Sequence, residues 1–423
     1  MSTSTLVTVA SDKPIPTTFA GRPESRPVRG GGNMSVVVVD DLQALEDHVP
    51  AWEALAAESL ELNPFYEAWM LMPAVRAFGA GENLRFVFVY SSDPARPEVP
   101  PLLEGVFPLA RQSRYKGLGK QVPVRTLSLW KHKYCYLCTP LIRAEGAREC
   151  VTAFLDWLAA APGGPALMEF RFITGEGPFY QLLVDLFNER GVHSFVSDRF
   201  TRVVFQPAGN ADEYLRAALA RPHRKDLRKK ERRLGETGRL EYLELGPDGD
   251  ADAWIEEFIE LEAKSWKGQE GTALASRPED REFFTAIARE AFQRERLMML
   301  AIHLDGRPIA HKCNLMAGPG SFAFKIAFDG EFSAFSPGVL LEIENIRRLH
   351  GRPELKWMDS CANRDNAMIN RLWLDRLTIQ NVVIGTGKMP GDLLVSSIPL
   401  LKWFNRRLRR RDLLRRAGDL TGC

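Results

Sequence analysis

Alternate residues of the stretch Phe322–Phe328 carry opposite chemistry. A strand alternates its faces, so Phe322, Phe324, Ile326 and Phe328 are expected on a core face, and Ala323, Lys325, Ala327 and Asp329 on the other. Two charges spaced by small alanines leave room for a ligand; a solvated sheet face has the same pattern. The chain then reads Phe335-Ser-Pro-Gly-Val339. Ser336 is a good N-cap and Pro337 a good first helical residue, and Gly338 leaves the first turn open to close approach. The exposed amides and dipole of such a helix start suit a phosphate, although plain capping needs the same residues.

Other residues offer chemistry more weakly. Cys135 and Cys138 form a CxxC with no second ligand pair at zinc spacing, so no metal is expected. His132 and Tyr134 close a predicted strand, and Trp266 and Lys267 follow a predicted helix end. Both pairs are candidates to line a cleft for substrate, or to be an ordinary polar pair and a core anchor.

The elements that must position these groups follow from periodicity and turn residues. A strand at 36–39 leads into a helix at 42–58, and Asn63-Pro64-Phe65 starts another. Strands are expected at 84–90, 105–111, 127–141, 166–172 and 192–205, with helices at 147–161 and 178–190. A second unit opens with one long basic helix at 212–234 and a strand at 240–245, then helices at 250–266 and 277–294. Three hairpin-linked strands follow at 297–304, 307–316 and 321–328, turning at Asp305-Gly306 and Gly318-Pro319-Gly320. A helix at 337–350, a strand at 355–359, a helix at 365–374 and a strand at 378–384 complete it. An antiparallel meander that accepts strand–helix–strand is a mixed sheet.

At 423 residues, 45% hydrophobic and 26% charged, the chain has the composition of a folded protein with two cores. The expected divisions are an unstructured tail at 1–34, domains at 35–206 and 207–390, and a basic amphipathic tail at 391–423. No apolar run approaches the ~18 residues of a spanning helix, and the Ser/Thr/Pro/Arg-rich start lacks a signal-peptide core. With six scattered cysteines this points to the cytoplasm. Net charge is only +2, but its distribution is uneven. Arg221–Arg233 holds eight Lys/Arg against two acids. Residues 399–416 place leucines on one stripe among arginines, a pattern for peripheral contact at the inner membrane surface or for docking on its own domain.

Taken in order, several stretches resemble the acetyltransferase-like GNAT proteins associated with cellulose and other exopolysaccharide biosynthesis. They are Arg224-Lys-Asp-Leu-Arg-Lys-Lys-Glu-Arg-Arg-Leu234 with Gly238, Glu262-Ala-Lys-Ser-Trp-Lys-Gly268, Leu304-Asp-Gly-Arg-Pro-Ile-Ala310, and Phe328-Asp329 leading to Ser336-Pro-Gly-Val-Leu-Leu341. That group is similar to the Fem-type peptidoglycan aminoacyltransferases, which carry tandem GNAT domains. The resemblance covers roughly 220–385; the first domain matches only through Asn63-Pro64-Phe65 and Trp69.

The resemblance implies an α/β fold of two tandem GNAT-like domains, each a mixed, mostly antiparallel sheet flanked by helices. It implies an N-acyltransferase using acetyl-CoA or another acyl-CoA, with Phe335–Val339 at the diphosphate and the thioester beside Lys325 and Asp329. The acceptor would be an amine of a sugar, lipid or polysaccharide precursor, that is, a small molecule or a polymer precursor. Asp329 or Asp359 would position or deprotonate it; with ordinary pKa values near ~3.9, either needs burial to act as a strong base. His311 has a reference pKa of ~6.5, better suited to a base, but shares a strand face with Ile309 and Cys313, as core histidines do. Family members often carry a Tyr-Lys pair where this chain reads Asp359-Ser-Cys-Ala-Asn-Arg-Asp365. That departure keeps a noncatalytic subunit of an exopolysaccharide assembly in view. The Fem likeness adds aminoacyl transfer from charged tRNA; no DNA partner is expected.

Overall fold

A computed structural model describes residues 33–116, 121–160, 164–265, 268 and 270–398. The tail at 1–32, Trp266, Lys267 and the basic stretch 399–416 lie outside the described residues. Among the described residues, no helix is long and apolar enough to cross a membrane.

The β-branched run Val36–Val39 forms β1 (Asn33–Val39). Asp41 caps α1 (Leu42–Glu46) by accepting the Ala44 amide at 3.1 Å. The single helix expected over 42–58 breaks at Asp47–His48, because Pro50 cannot sit inside a helix and opens α2 (Val49–Ala57) instead. Then come α3 (Ala68–Phe78), β2 (Leu84–Ser92), β3 (Leu102–Gln112), β4 (Thr126–Leu129), a short β5 (Leu141–Ile142), α4 (Ala147–Ala160), β6 (Leu167–Thr174), α5 (Pro178–Arg190) and β7 (Ser194–Phe205).

Two connecting helices follow, α6 (Ala211–Ala218) and α7 (Arg221–Gly235). They correct the one long helix expected there: Pro222 starts a new helix rather than extending the old. The second half runs β8 (Leu240–Glu244), α8 (Ala251–Lys264), α9 (Pro278–Gln293), β9 (Leu297–Leu304), β10 (Arg307–Ala317), β11 (Gly320–Phe328), α10 (Pro337–His350), β12 (Trp357–Asp359), α11 (Ile369–Leu372) and β13 (Asp375–Gly385). The helix expected at 365–374 is thus reduced to a single turn.

Both halves share one sheet, in the order β1-β2-β3-β4-β6-β13-β7-β12-β11-β10-β9-β8. Two contacts are parallel, β4 with β6 and β11 with β12, each bridged by a helix. The final strand of each half crosses over. β7 pairs with β12 and β13, and β13 pairs with β6 and β7.

Two local features reshape the expected site. The strand expected over 127–141 stops at Leu129, and residues 130–140 form a loop. Asn63 pins it, its Nδ2 donating to the Leu137 and Thr139 carbonyls at 3.1 and 2.7 Å. In β11, Cys313 pairs with Lys325 but Asn314 pairs with Ala323, so Phe324 is an extra, bulged residue. The bulge overturns the expected alternation. Phe322, Phe324 and Ala327 pack in the core that includes α8 and α9, and Ala323 in the core that includes α10. Ile326 and Phe328 now lie against Gly338 of α10, while Lys325 reaches Glu262 of α8.

Candidate active site

β11 and β12 touch over three pairs, Gly320–Trp357, Ser321–Met358 and Phe322–Asp359. Beyond them β12 ends, and β11 runs on to Phe328 paired with β10 but not with β12. Gly320 is required at the start of this contact, since a Cβ there would stand 2.1 Å from the Trp357 ring. Asp359 at its end is buried and paired with buried Arg202 of β7, and its Oδ1 accepts the Cys361 amide at 2.9 Å. Arg202 also donates to the Tyr136 carbonyl at 2.6 Å. Strand β12, strand β7 and the 130–140 loop thus meet at one guanidinium, and Asp359 holds a junction rather than standing as an open base.

On the α8 face, Lys325 Nζ lies 2.9 Å from Glu262 Oε1, and Glu262 Oε2 accepts the Leu274 amide at 2.9 Å. Glu262 is fully buried. The Lys325 ammonium also stands 5.1 Å from the centre of the Tyr134 ring, a cation–π distance. Tyr134 stacks on Phe283 of α9 at 5.5 Å. Tyr136 meets Phe324 and Phe65 edge-on. Burial pushes both phenols well above the usual tyrosine range, and the charges of Asp280 and Glu262 add to this at Tyr134. Both remain proton donors at neutral pH. The structure therefore brings Lys325 and Tyr134 together and adds Glu262. Sequence did carry a signal for Glu262, a carboxylate on the apolar stripe of Trp254, Phe258 and Leu261.

The other expected residues are dispersed. His132 stacks on Phe78 and abuts Phe283, and burial, with Lys131 and Lys133 nearby, lowers its pKa to about 3. It is a neutral core ring. His311 is buried beneath Trp254, its Nε2 3.3 Å from Glu257 Oε2; burial holds it neutral too. Asp329 caps the 3-10 turn Gly330–Phe335 through the Glu331 amide at 3.0 Å and pairs with Arg307, which commits its carboxylate. The Cys135 and Cys138 sulfurs lie 3.6 Å apart as buried free thiols.

The start of α10 also differs from expectation. Ser336 adopts a left-handed backbone (φ 57°, ψ 50°) and its hydroxyl caps nothing; it accepts from Lys230 Nζ of α7 at 3.2 Å. The Ser336 carbonyl takes the Val339 and Leu340 amides at 3.0 and 3.2 Å. Pro337 and Gly338 are buried. Phe335 and Val339 pack against the core containing α10. Beside this turn, α6, α7 and α10 enclose a cleft of about 460 Å³ whose walls carry Arg216, Arg221, Arg224, Lys225, Arg228 and Arg347 against Asp212 and Glu231.

Residues 221–366 match the profile of the acetyltransferase (GNAT) domain. They span α7 to the loop after β12, including Lys230, Glu262, Lys325 and Asp359. A search of curated proteins finds no match. Among solved structures, the crystal structure of FemX is similar over 83% of this chain and 98% of its own, at 10% identity and a TM-score of 0.51. A conserved protein of unknown function from Bacteroides thetaiotaomicron aligns over 83% of this chain and 100% of its own, at 10% identity and a TM-score of 0.49. A tandem GNAT protein from the clavulanic acid biosynthesis pathway aligns over 84% and 99%, at 12% identity and 0.41. The fold is thus a GNAT-like mixed α/β architecture, with the matched domain in the second half.

Proposed function

We propose that this chain transfers an acyl group from acyl-CoA, with acetyl-CoA the first to test, to an amine of a sugar, lipid or exopolysaccharide precursor. The observation that carries the reading is the parting of β11 from β12 after Phe322–Asp359, inside the stretch that matches the acetyltransferase domain. An extended donor arm bearing amides fits such a parting as an added strand does. Its diphosphate would approach the loop before α10, where Lys230 and the arginines of α7 concentrate positive charge.

In the reaction the amine nitrogen attacks the thioester carbonyl, the C–S bond breaks, and an amide and a free thiol result. One proton leaves the amine and one reaches sulfur, so the balance closes. Tyr136, whose ring meets Phe324 of β11 just past the last β11–β12 pair, is assigned as donor to the leaving thiolate. Lys325, held by Glu262, would stabilise the developing oxyanion.

Isothermal titration of the full chain with acetyl-CoA and with CoA tests the first step. Binding of both is expected; no heat from either would overturn the reading. The arginine-lined cleft favours a second reading, aminoacyl transfer from charged tRNA. RNA binding with a steep salt dependence, without CoA binding, would select it.

A further inference from the structure

Two histidines and a glutamate meet on the α8 face of the sheet at residues the acyl-transfer chemistry leaves unused. Ala301 of β9 stands opposite His311 of β10, so His303, two residues on, projects from the same face. The two imidazole centres are 6.1 Å apart. Glu257 descends from α8 above them, with Oε2 3.3 Å from His311 Nε2 and 3.7 Å from His303 Nε2. Ligand-capable atoms of all three lie within 4.8 Å of one another. His303 Nε2 is buried and makes no hydrogen bond among the described residues.

We propose that Glu257, His303 and His311 form a zinc site that clamps α8 to the β9–β10 hairpin. Tetrahedral zinc with bonds of about 2.0–2.1 Å sets its ligand atoms roughly 3.4 Å apart, which the two measured separations bracket. Two imidazoles and one carboxylate are a donor set suited to Zn²⁺. The ion answers the unpartnered nitrogen of His303, which at 3.7 Å is too far from Glu257 for a hydrogen bond. His311 is fully buried, whereas Glu257 is 39% exposed, so ion and water enter from its side and the fourth position falls to water. Glu257 and Glu262 share α8. The clamp therefore steadies the helix that holds Lys325, without touching the reacting groups.

The test uses the full chain, stripped by a chelator and titrated with Zn²⁺ against a chromophoric competitor. One ion per chain is expected. His303→Gln and Glu257→Gln should each weaken binding by at least about tenfold. Both should keep wild-type circular dichroism and metal-free melting temperature, and zinc should raise the melting temperature of the wild type alone. The double variant Cys135→Ser, Cys138→Ser should bind zinc as the wild type does. Wild-type protein that takes up no zinc, His303 and Glu257 variants that bind it unchanged, or loss of binding only in the cysteine variant would overturn the proposal.

Discussion

Both oxygens of the Glu262 carboxylate are engaged at 2.9 Å, one by Lys325 Nζ and the other by the Leu274 amide. A charge pair this buried is costly to halve. Glu262→Ala should lose about 3–5 kcal/mol in urea denaturation. The double variant Glu262→Leu, Lys325→Met should recover much of that loss while remaining inactive. Equal stability of Glu262→Ala and wild type would show that the pair is open to water.

Tyr136→Phe removes one oxygen and leaves the edge contacts with Phe324 and Phe65 in place. If the phenol protonates the leaving thiolate, kcat should fall by about 10²-fold with KM nearly unchanged. Matched losses in binding and turnover would assign Tyr136 to packing instead.

Lys230→Ala deletes the ammonium at Ser336. One charge-assisted hydrogen bond to a diphosphate is worth about tenfold in Kd, so acetyl-CoA should bind about tenfold more weakly. The control is Arg232→Ala, an exposed change on the same helix, which should leave calorimetric affinity near wild type.

Gly320→Ala should shift the Trp357 ring and disturb the parallel contact, because the new Cβ falls 2.1 Å from it. A loss of about 1–3 kcal/mol is expected. A fluorescence change at Trp357 should accompany it; an unaltered spectrum with unaltered stability would contradict the geometry.

His132 gives stability a pH dependence of known sign. Its folded pKa, about 3, lies below the unfolded value near 6.5, so the unfolded chain binds more protons between those limits. Stability is then complete above pH 6.5 and falls as pH drops toward 3. His132 alone should cost about 2 kcal/mol between pH 7 and pH 5. His132→Phe should flatten the profile of urea midpoints; an unchanged slope would refute the assignment.

The signals that end helices proved readable. Pro178 and Pro337 open α5 and α10, which end at Arg190 and His350 as the pattern predicts. The hairpins at Asp305-Gly306 and Gly318–Gly320 also stand where turn chemistry put them. What escaped was the consequence of distant pairing. A one-residue bulge at Phe324 reverses the facing of Ile326 and Phe328, and no local residue type announces it. Asp359 read as an available acid because its partner Arg202 lies 157 residues away. Glu262 was visible only as a carboxylate on an apolar stripe, which shows burial but not the lysine that makes burial tolerable.

Because β13 lies between β6 and β7, the first half of the chain cannot complete its own sheet. A ribosome that has delivered residues through Phe205 has made β6 and its neighbour β4, but not the strand that will cover its other edge. That strand, Asp375–Gly385, is the last strand among the described residues. Until then β6 offers an open edge to any strand nearby, so a truncated product would expose a site for aggregation or chaperone capture. Sealing that edge therefore waits on the emergence of Asp375–Gly385.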